Sequence, residues 1–224
     1  IPLVGLWIAS PFVAHAMSAP AVKTERRLAS ANRASAMRYA LLHWRFFERF
    51  ATEKTAWLAP DNFQEDPAPI VAMRTSPTNI GLQLLSTISA YDLGFVTVGE
   101  MARRLELALR SMERMRRFRG HLYNWYSLPD LGVLEPAYIS TVDSGNLAGH
   151  LVALRQACLA ARYTRPSDRG VCDAMRTALG IAAERLGSLA RSPLGERHGT
   201  PPAMAVAGEQ LRIARAALAV GSLA

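Results

Sequence analysis

The sequence predicts an all-α protein built from antiparallel helical hairpins. Three observations lead there. Apolar residues recur at helical spacing, as in Met101, Leu105, Ala108, Met112 and Met115, which step by four, three, four and three. Start and stop signals bracket the periodic segments: Ser76 and Pro77 open one, and Gly94 closes it. No strand pattern alternates with a helical one, so a parallel sheet is excluded and helical hairpins are the economical arrangement.

The chain begins with "IPLVGLWIASPFVAHAMSAP", which carries no Lys or Arg and is almost wholly apolar. It has neither a Met start nor a basic leading region, so it does not read as a signal peptide. Lys23, Arg26, Arg27, Arg33 and Arg38 follow at once. Basic residues just past an apolar segment put that side in the cytoplasm by the positive-inside rule. Residues 1–19 are therefore expected to be the end of a transmembrane helix, with the chain after about residue 20 in the cytoplasm. The alternative is a soluble helix buried in a core.

Residues 21–55 read as one long helix; within it Leu41, Leu42, Trp44, Phe46, Phe47 and Phe50 call for burial in its later half. The stretch from Trp57 to Pro77 has no helical period and several prolines, the signature of a loop. A helix follows from Ser76 to Gly94, and another from Val98 to Arg117. On the second, Glu100–Arg104, Glu106–Arg110 and Glu113–Arg117 stand four apart with Glu first, the orientation that supports a solvated face. The aromatic stretch "HLYNWYSLPDLGVLEPAYISTV" predicts a short two-stranded excursion near 122–142. A helix starting about Asp143 and burying Leu147, Leu151, Leu154 and Cys158 comes next, then helices over 167–190 and 203–220.

Composition narrows the partners. The net charge is +8, yet only Lys23 and Lys54 among the 26 basic residues are lysines, and the Arg on 98–117 are interleaved with Glu. A nucleic-acid stripe would present an unbroken basic face, so nucleic acid is not an expected partner. Cys158 and Cys172 lie in helical patterns with no metal-ligand spacing and read as reduced packing residues; no metal and no cofactor is expected.

The polar groups outside helices cluster in four blocks: "PDNFQEDP" (60–67), "RTSPTNIGL" (74–82), "RGHLYNWY" (119–126) and "STVDSGNLAGHL" (140–151). In the last block Thr141, Asp143 or Ser144 can each cap the helix by accepting from a first-turn amide. The other reading is that this helix end faces a pocket and holds a polar ligand.

These four blocks, in this order, resemble the bacterial cyclic β-1,2-glucan synthases. The resemblance runs from Trp57 to Leu154. It implies a region following a membrane-embedded glycosyltransferase part and opening an (α/α)6 glucan-processing domain. Residues 1–19 are then the membrane end, 20–56 a connecting helix, and 57–224 the N-terminal part of an incomplete toroid. The implied partners are a β-1,2-glucan chain and the rest of the same polypeptide. Inner-helix starts rim the mouth of such a toroid, so Asp61, Asn62, Gln64, Arg74, Ser144 and Asn146 are the expected hydrogen-bonding residues. Tyr123, Trp125 and Tyr126 are the expected stacking faces, although Trp125 also suits a core. Glycosidic chemistry needs two carboxyls. Glu65 and Asp143 are the candidates present, and the pair is expected to lie partly or wholly beyond Ala224. The sequence departs from the expected pattern at Met73, in place of His, and at Ser127, in place of Asp. A non-catalytic helical scaffold joining two enzymatic parts is the rival reading. It predicts that Tyr123 and Trp125 are buried and that no polar groove lies beside Asp143.

Overall fold

The computed structural model describes residues 2–18, 29–191 and 202–220. By its contacts the chain divides into two units, Ile1–Arg33 and Ala34–Ala224. The first contains α1 (Pro2–Ser18) and the opening of α2 (Ser30–Phe50). In α1 the side chains of Leu6, Trp7, Ile8, Phe12, Val13 and Met17 are all exposed, so the helix is apolar on every side. Among the described residues no helix is long and apolar enough to cross a membrane. α1 has 17 residues, against about 20 for a span.

The second unit holds α3 (Pro77–Asp92), α4 (Val98–Arg114), α5 (Thr141–Ala161), α6 (Asp168–Ala190) and α7 (Pro202–Val220). Its main core lies among α3, α4 and α5, where Ile80, Leu84, Met101, Leu105, Met112 and Leu147 pack together. A smaller cluster of Leu41, Trp44, Ala90 and Ile181 ties the later part of α2 to α3 and α6. Burial of each such side chain contributes about 1.5–3 kcal/mol. Local chemistry sets where the helices begin. Ser76, Thr97, Ser140 and Ser167 each accept a hydrogen bond from the amide three residues on, at 3.2, 3.2, 3.1 and 3.1 Å. Each such cap is worth about 1 kcal/mol.

The all-α class holds, with several corrections of detail. Residues 19–28 of the expected long helix lie outside the described residues; α2 runs only from Ser30 to Phe50 and is followed by a 3₁₀ turn at Glu53–Thr55. The helix expected to reach Arg117 stops at Arg114, because Arg117–Phe118 (β4) pairs antiparallel with His121–Leu122 (β5) around Gly120, whose φ is 87°. The ion pairs Glu100–Arg104 and Glu106–Arg110 form, at 2.6 and 2.5 Å. Arg117, drawn off the helix, instead donates to the carbonyl of Met112 at 3.1 Å. α5 starts at Thr141 and its cap is Ser140, so none of Thr141, Asp143 and Ser144 is the capping residue. Strand pairing is also wider than one excursion. Phe63–Gln64 (β1) pairs with Ile70–Val71 (β2), and Arg74–Thr75 (β3) pairs with Tyr126–Ser127 (β6). Cys158, expected to be packed, is exposed.

The loop before α3 is held from within the core. Buried Gln83 donates from Nε2 to the carbonyl of Trp57 at 2.7 Å and accepts from the amide of Ala59 at 2.6 Å. It thereby fixes the turn at Ala56 and Trp57, both in the left-handed region at φ 52° and 61°.

Candidate functional site

The pairing of β3 with β6 brings the loop before α3 against the aromatic stretch before α5, and the N-termini of α3 and α5 lie side by side. Polar groups from all four segments join there into one network. Asp61 accepts from Arg74 through Nε at 3.1 Å and a terminal nitrogen at 2.9 Å, and from Asn79 Nδ2 at 3.3 Å. The Arg74 guanidinium lies 4.5 Å from the centre of the Trp125 ring, within the range of cation–π attraction. Hydrogen-bond partners orient the buried Asn124 amide. It accepts from Trp125 Nε1 and Tyr138 Oη, both at 2.6 Å, and donates to Asp143 Oδ2 at 3.1 Å. The other oxygen of Asp143 accepts from Thr78 Oγ1 at 2.6 Å, and Asn146 Nδ2 donates to the same hydroxyl at 3.4 Å.

Asp143 thus has two jobs in α5. At the third helical position its carboxylate favours the positive end of the helix. Across the gap it ties α5 to α3 through Thr78 and to the aromatic stretch through Asn124. Arg74 and Asn146 remain exposed, while Trp125 and Asp143 are half-buried. The arrangement offers what recognition of a polyhydroxylated ligand needs: fixed donors and acceptors beside a flat aromatic ring.

Of the expected site residues the network gathers Asp61, Arg74, Trp125, Asp143 and Asn146. Asn62 touches it only by donating to Asp61 at 3.2 Å. Gln64 is exposed on β1, and Ser144 turns into a different cleft of about 280 Å³ with Pro77, Arg117, His121 and Leu147. Glu65 opens onto a groove beside α2, so it and Asp143 face separate surroundings and do not form an acid–base pair here. Tyr123 and Tyr126 are a correction too. Both are buried, Tyr126 completely, and the Tyr126 hydroxyl bridges the amide of Tyr123 at 2.7 Å and the carbonyl of Arg116 at 2.6 Å. Burial pushes its phenol above the usual range, which keeps it a donor. These two rings hold the stretch in place and present no stacking face.

Thr78, Asn79, Asn124 and Tyr138 are network members that sequence reasoning did not single out. The first three lie inside two of the four blocks, so the signal was present; only the strand pairing shows that they meet. The two departures, Met73 and Ser127, are also neighbours: Ser127 pairs with Arg74, and the amide of Leu128 donates to the Met73 carbonyl at 3.1 Å. Among the described residues no cluster of His, Cys, Asp and Glu is arranged to hold a metal ion.

These features define an all-α protein with a polar and aromatic site at two adjacent helix N-termini. Over 159 residues the chain is 46% identical to the cyclic beta-(1,2)-glucan synthase NdvB of Rhizobium meliloti strain 1021. It is homologous to a segment of that synthase, as the four blocks indicated. The match covers 70% of this chain and 6% of the synthase's length. No protein-family model matches the chain. Two solved structures show weaker likeness. A candidate glucoamylase of Bacteroides fragilis aligns at 19% identity with a TM-score of 0.47, over 70% of this chain and 37% of its own. One of Bacteroides caccae aligns at 18% with a TM-score of 0.39, over 80% and 36%.

Proposed function

We propose that this chain is part of a cyclic β-1,2-glucan synthase and that the network around Asp143 binds a β-1,2-glucan chain during transglycosylation or cyclisation. The observation that carries this reading is the convergence of Arg74, Trp125, Asn124 and Asp143, drawn from three of the four blocks that led to the resemblance. Such a site positions a sugar ring by stacking on Trp125 and by hydrogen bonds from Arg74 and Asn146. The helices are read as the opening of an (α/α)6 toroid, and the acid–base pair is assigned to other parts of the polypeptide. The scaffold alternative accounts for the buried Tyr123, but not for a polar network beside Asp143 with Arg74 and Asn146 in solvent.

The test is Trp125→Ala in the polypeptide that carries this segment. Loss of one apolar contact face, about 40–80 Å² at about 25 cal/mol per Å², is expected to weaken β-1,2-glucan binding about 5- to 30-fold. Unchanged glucan binding and processing would leave the scaffold reading in its place.

The same reading places α1 in or against the membrane. A helix that is apolar on every side has no soluble face, and every large apolar side chain described in it is exposed. Removal of residues 1–20 is expected to abolish co-flotation with phospholipid vesicles and to raise solubility. Equal flotation and solubility of the two forms would exclude a membrane role for α1.

A further inference from the structure

The groove onto which Glu65 opens is the most complete unassigned feature of the chain. It has a volume of about 440 Å³ and is built from three segments far apart in sequence: the later half of α2, the β1–β2 hairpin and Arg185 of α6. An ion pair between Arg38 and Glu184, at 2.7 Å, clamps α2 to α6 beside it. Its floor is aromatic. Phe50 lies 5.3 Å from Phe46 and 4.9 Å from Phe63, and the Arg49 guanidinium sits 5.2 and 5.5 Å from the Phe50 and Phe63 rings.

On α4, α6 and α7 several acids pair with arginines three or four residues away, as Glu100 does with Arg104, Asp173 with Arg176 and Glu209 with Arg212. In the groove, Arg45 and Arg185 stand with Glu48 and Glu65, and none of these four side chains has a hydrogen-bond or ion-pair partner among the described residues. Free donors and free acceptors are thus both presented above apolar rings. A phosphate-bearing ligand would meet two carboxylates beside the three arginines, and a wholly apolar one would cover five charged groups without pairing them. A neutral polyhydroxyl ligand satisfies both signs, since each hydroxyl donates to a carboxylate and accepts from a guanidinium.

We infer that this groove is a second saccharide-binding position, separate from the Asp143 network, that holds a neutral oligosaccharide segment. The identity of the sugar rests on the proposed function; the existence of the site does not. The hairpin connects the two places: Asp61 at its base belongs to the network, while Phe63 and Glu65 on it line the groove. A long glucan is therefore gripped at both, and a short one at either.

The experiment titrates the full chain with β-1,2-gluco-oligosaccharides of increasing length, and separately with inorganic phosphate. Arg45→Ala/Arg185→Ala removes two side chains that hold no other part of the protein. It is expected to weaken binding of long oligosaccharides about tenfold or more, the scale of one or two lost charge-assisted hydrogen bonds, with the melting temperature unchanged. Glu65→Gln is expected to act in the same direction. Binding by the parent chain that the double variant leaves intact overturns the second site and leaves the proposed function standing. Phosphate that competes with the sugar overturns it in favour of an anion site. If the parent chain binds no β-1,2-glucan but binds another neutral oligosaccharide in a manner sensitive to Arg45 and Arg185, the groove stands and the proposed function falls. Binding of no saccharide overturns both.

Discussion

Asp143→Ala is expected to abolish most glucan processing while leaving a folded protein. The carboxylate is not the cap of α5, a role held by Ser140, so the helix start survives. What is lost is the pair of hydrogen bonds that Asp143 accepts from Thr78 and from Asn124. Asn124 is buried, and its orphaned donor costs about 1–3 kcal/mol, with a smaller loss at the half-exposed Thr78. The melting temperature is expected to fall by about 2–4 °C for each kcal/mol lost. The functional loss is larger, because Asn124 also fixes Trp125 Nε1, and displacement of a binding group by about 1 Å can cost about a hundredfold. Asp143→Asn is expected to rescue in part, since its amide oxygen can accept from Asn124 while its NH2 donates to the Thr78 hydroxyl, which accepts as well as donates. The checks are calorimetry and processing assays on the polypeptide that carries this segment. Normal processing at a lowered melting temperature would reduce Asp143 to a structural tie and remove the site.

The second large effect is expected at Gly81. A Cβ placed there would lie 2.1 Å from His150 Nδ1, 3.0 Å from its Cγ and 3.2 Å from its Cβ. The imidazole of α5 therefore rests on the bare backbone of α3. The ring contacts at 2.1 and 3.0 Å require the imidazole to be displaced, while the 3.2 Å to its Cβ asks the helices to give by only a few tenths of an ångström. Overpacking of this kind costs about 1–3 kcal/mol, against which the better helix propensity of Ala returns about 1 kcal/mol. Gly81→Ala is accordingly expected to destabilise on balance. It should also depress glucan processing, because the Thr78–Asp143 contact lies about one turn away on α3 and two turns away on α5. In a His150→Ala background the same substitution is expected to stabilise by about 0.5–1 kcal/mol. A double-mutant cycle measures the coupling, expected at about 2 kcal/mol. Additive effects would show that the imidazole swings clear and that this close approach does not hold the helices in register.

How far each feature was legible depends on the range of the interaction behind it. The start of α3 was readable because Ser76 and Pro77 act on amides within one turn. The face of α4 was readable because Met101, Leu105, Ala108 and Met112 repeat with the helix. The end of α4 was not, because a pairing of β4 with β5 competes with the last helical turn, and Arg117 follows the strand. The start of α5 was misplaced because Ser140 and Asp143 are both good caps by composition, and the approach of Thr78 and Asn124 leaves Asp143 for a different task.

The sequence by itself determined the all-α class, most helix spans and the four blocks from which a site could be made. Only the tertiary structure decided which residues of those blocks face one another. Trp125 and Tyr126 are adjacent, yet one lies beneath Arg74 and the other is sealed in the core. Asp61 and Glu65 share one hairpin, yet one joins Arg74 and the other opens toward α2. In extended chain successive side chains point to opposite faces, so Trp125 and Tyr126 part, and which of them turns inward depends on register, set by pairing of β3 with β6 about 50 residues away. Asp61 and Glu65 stand four apart, where alternation alone would give them one face; tertiary contacts separate them, as Arg74 draws in Asp61 and Phe63 packs on Phe50 of α2.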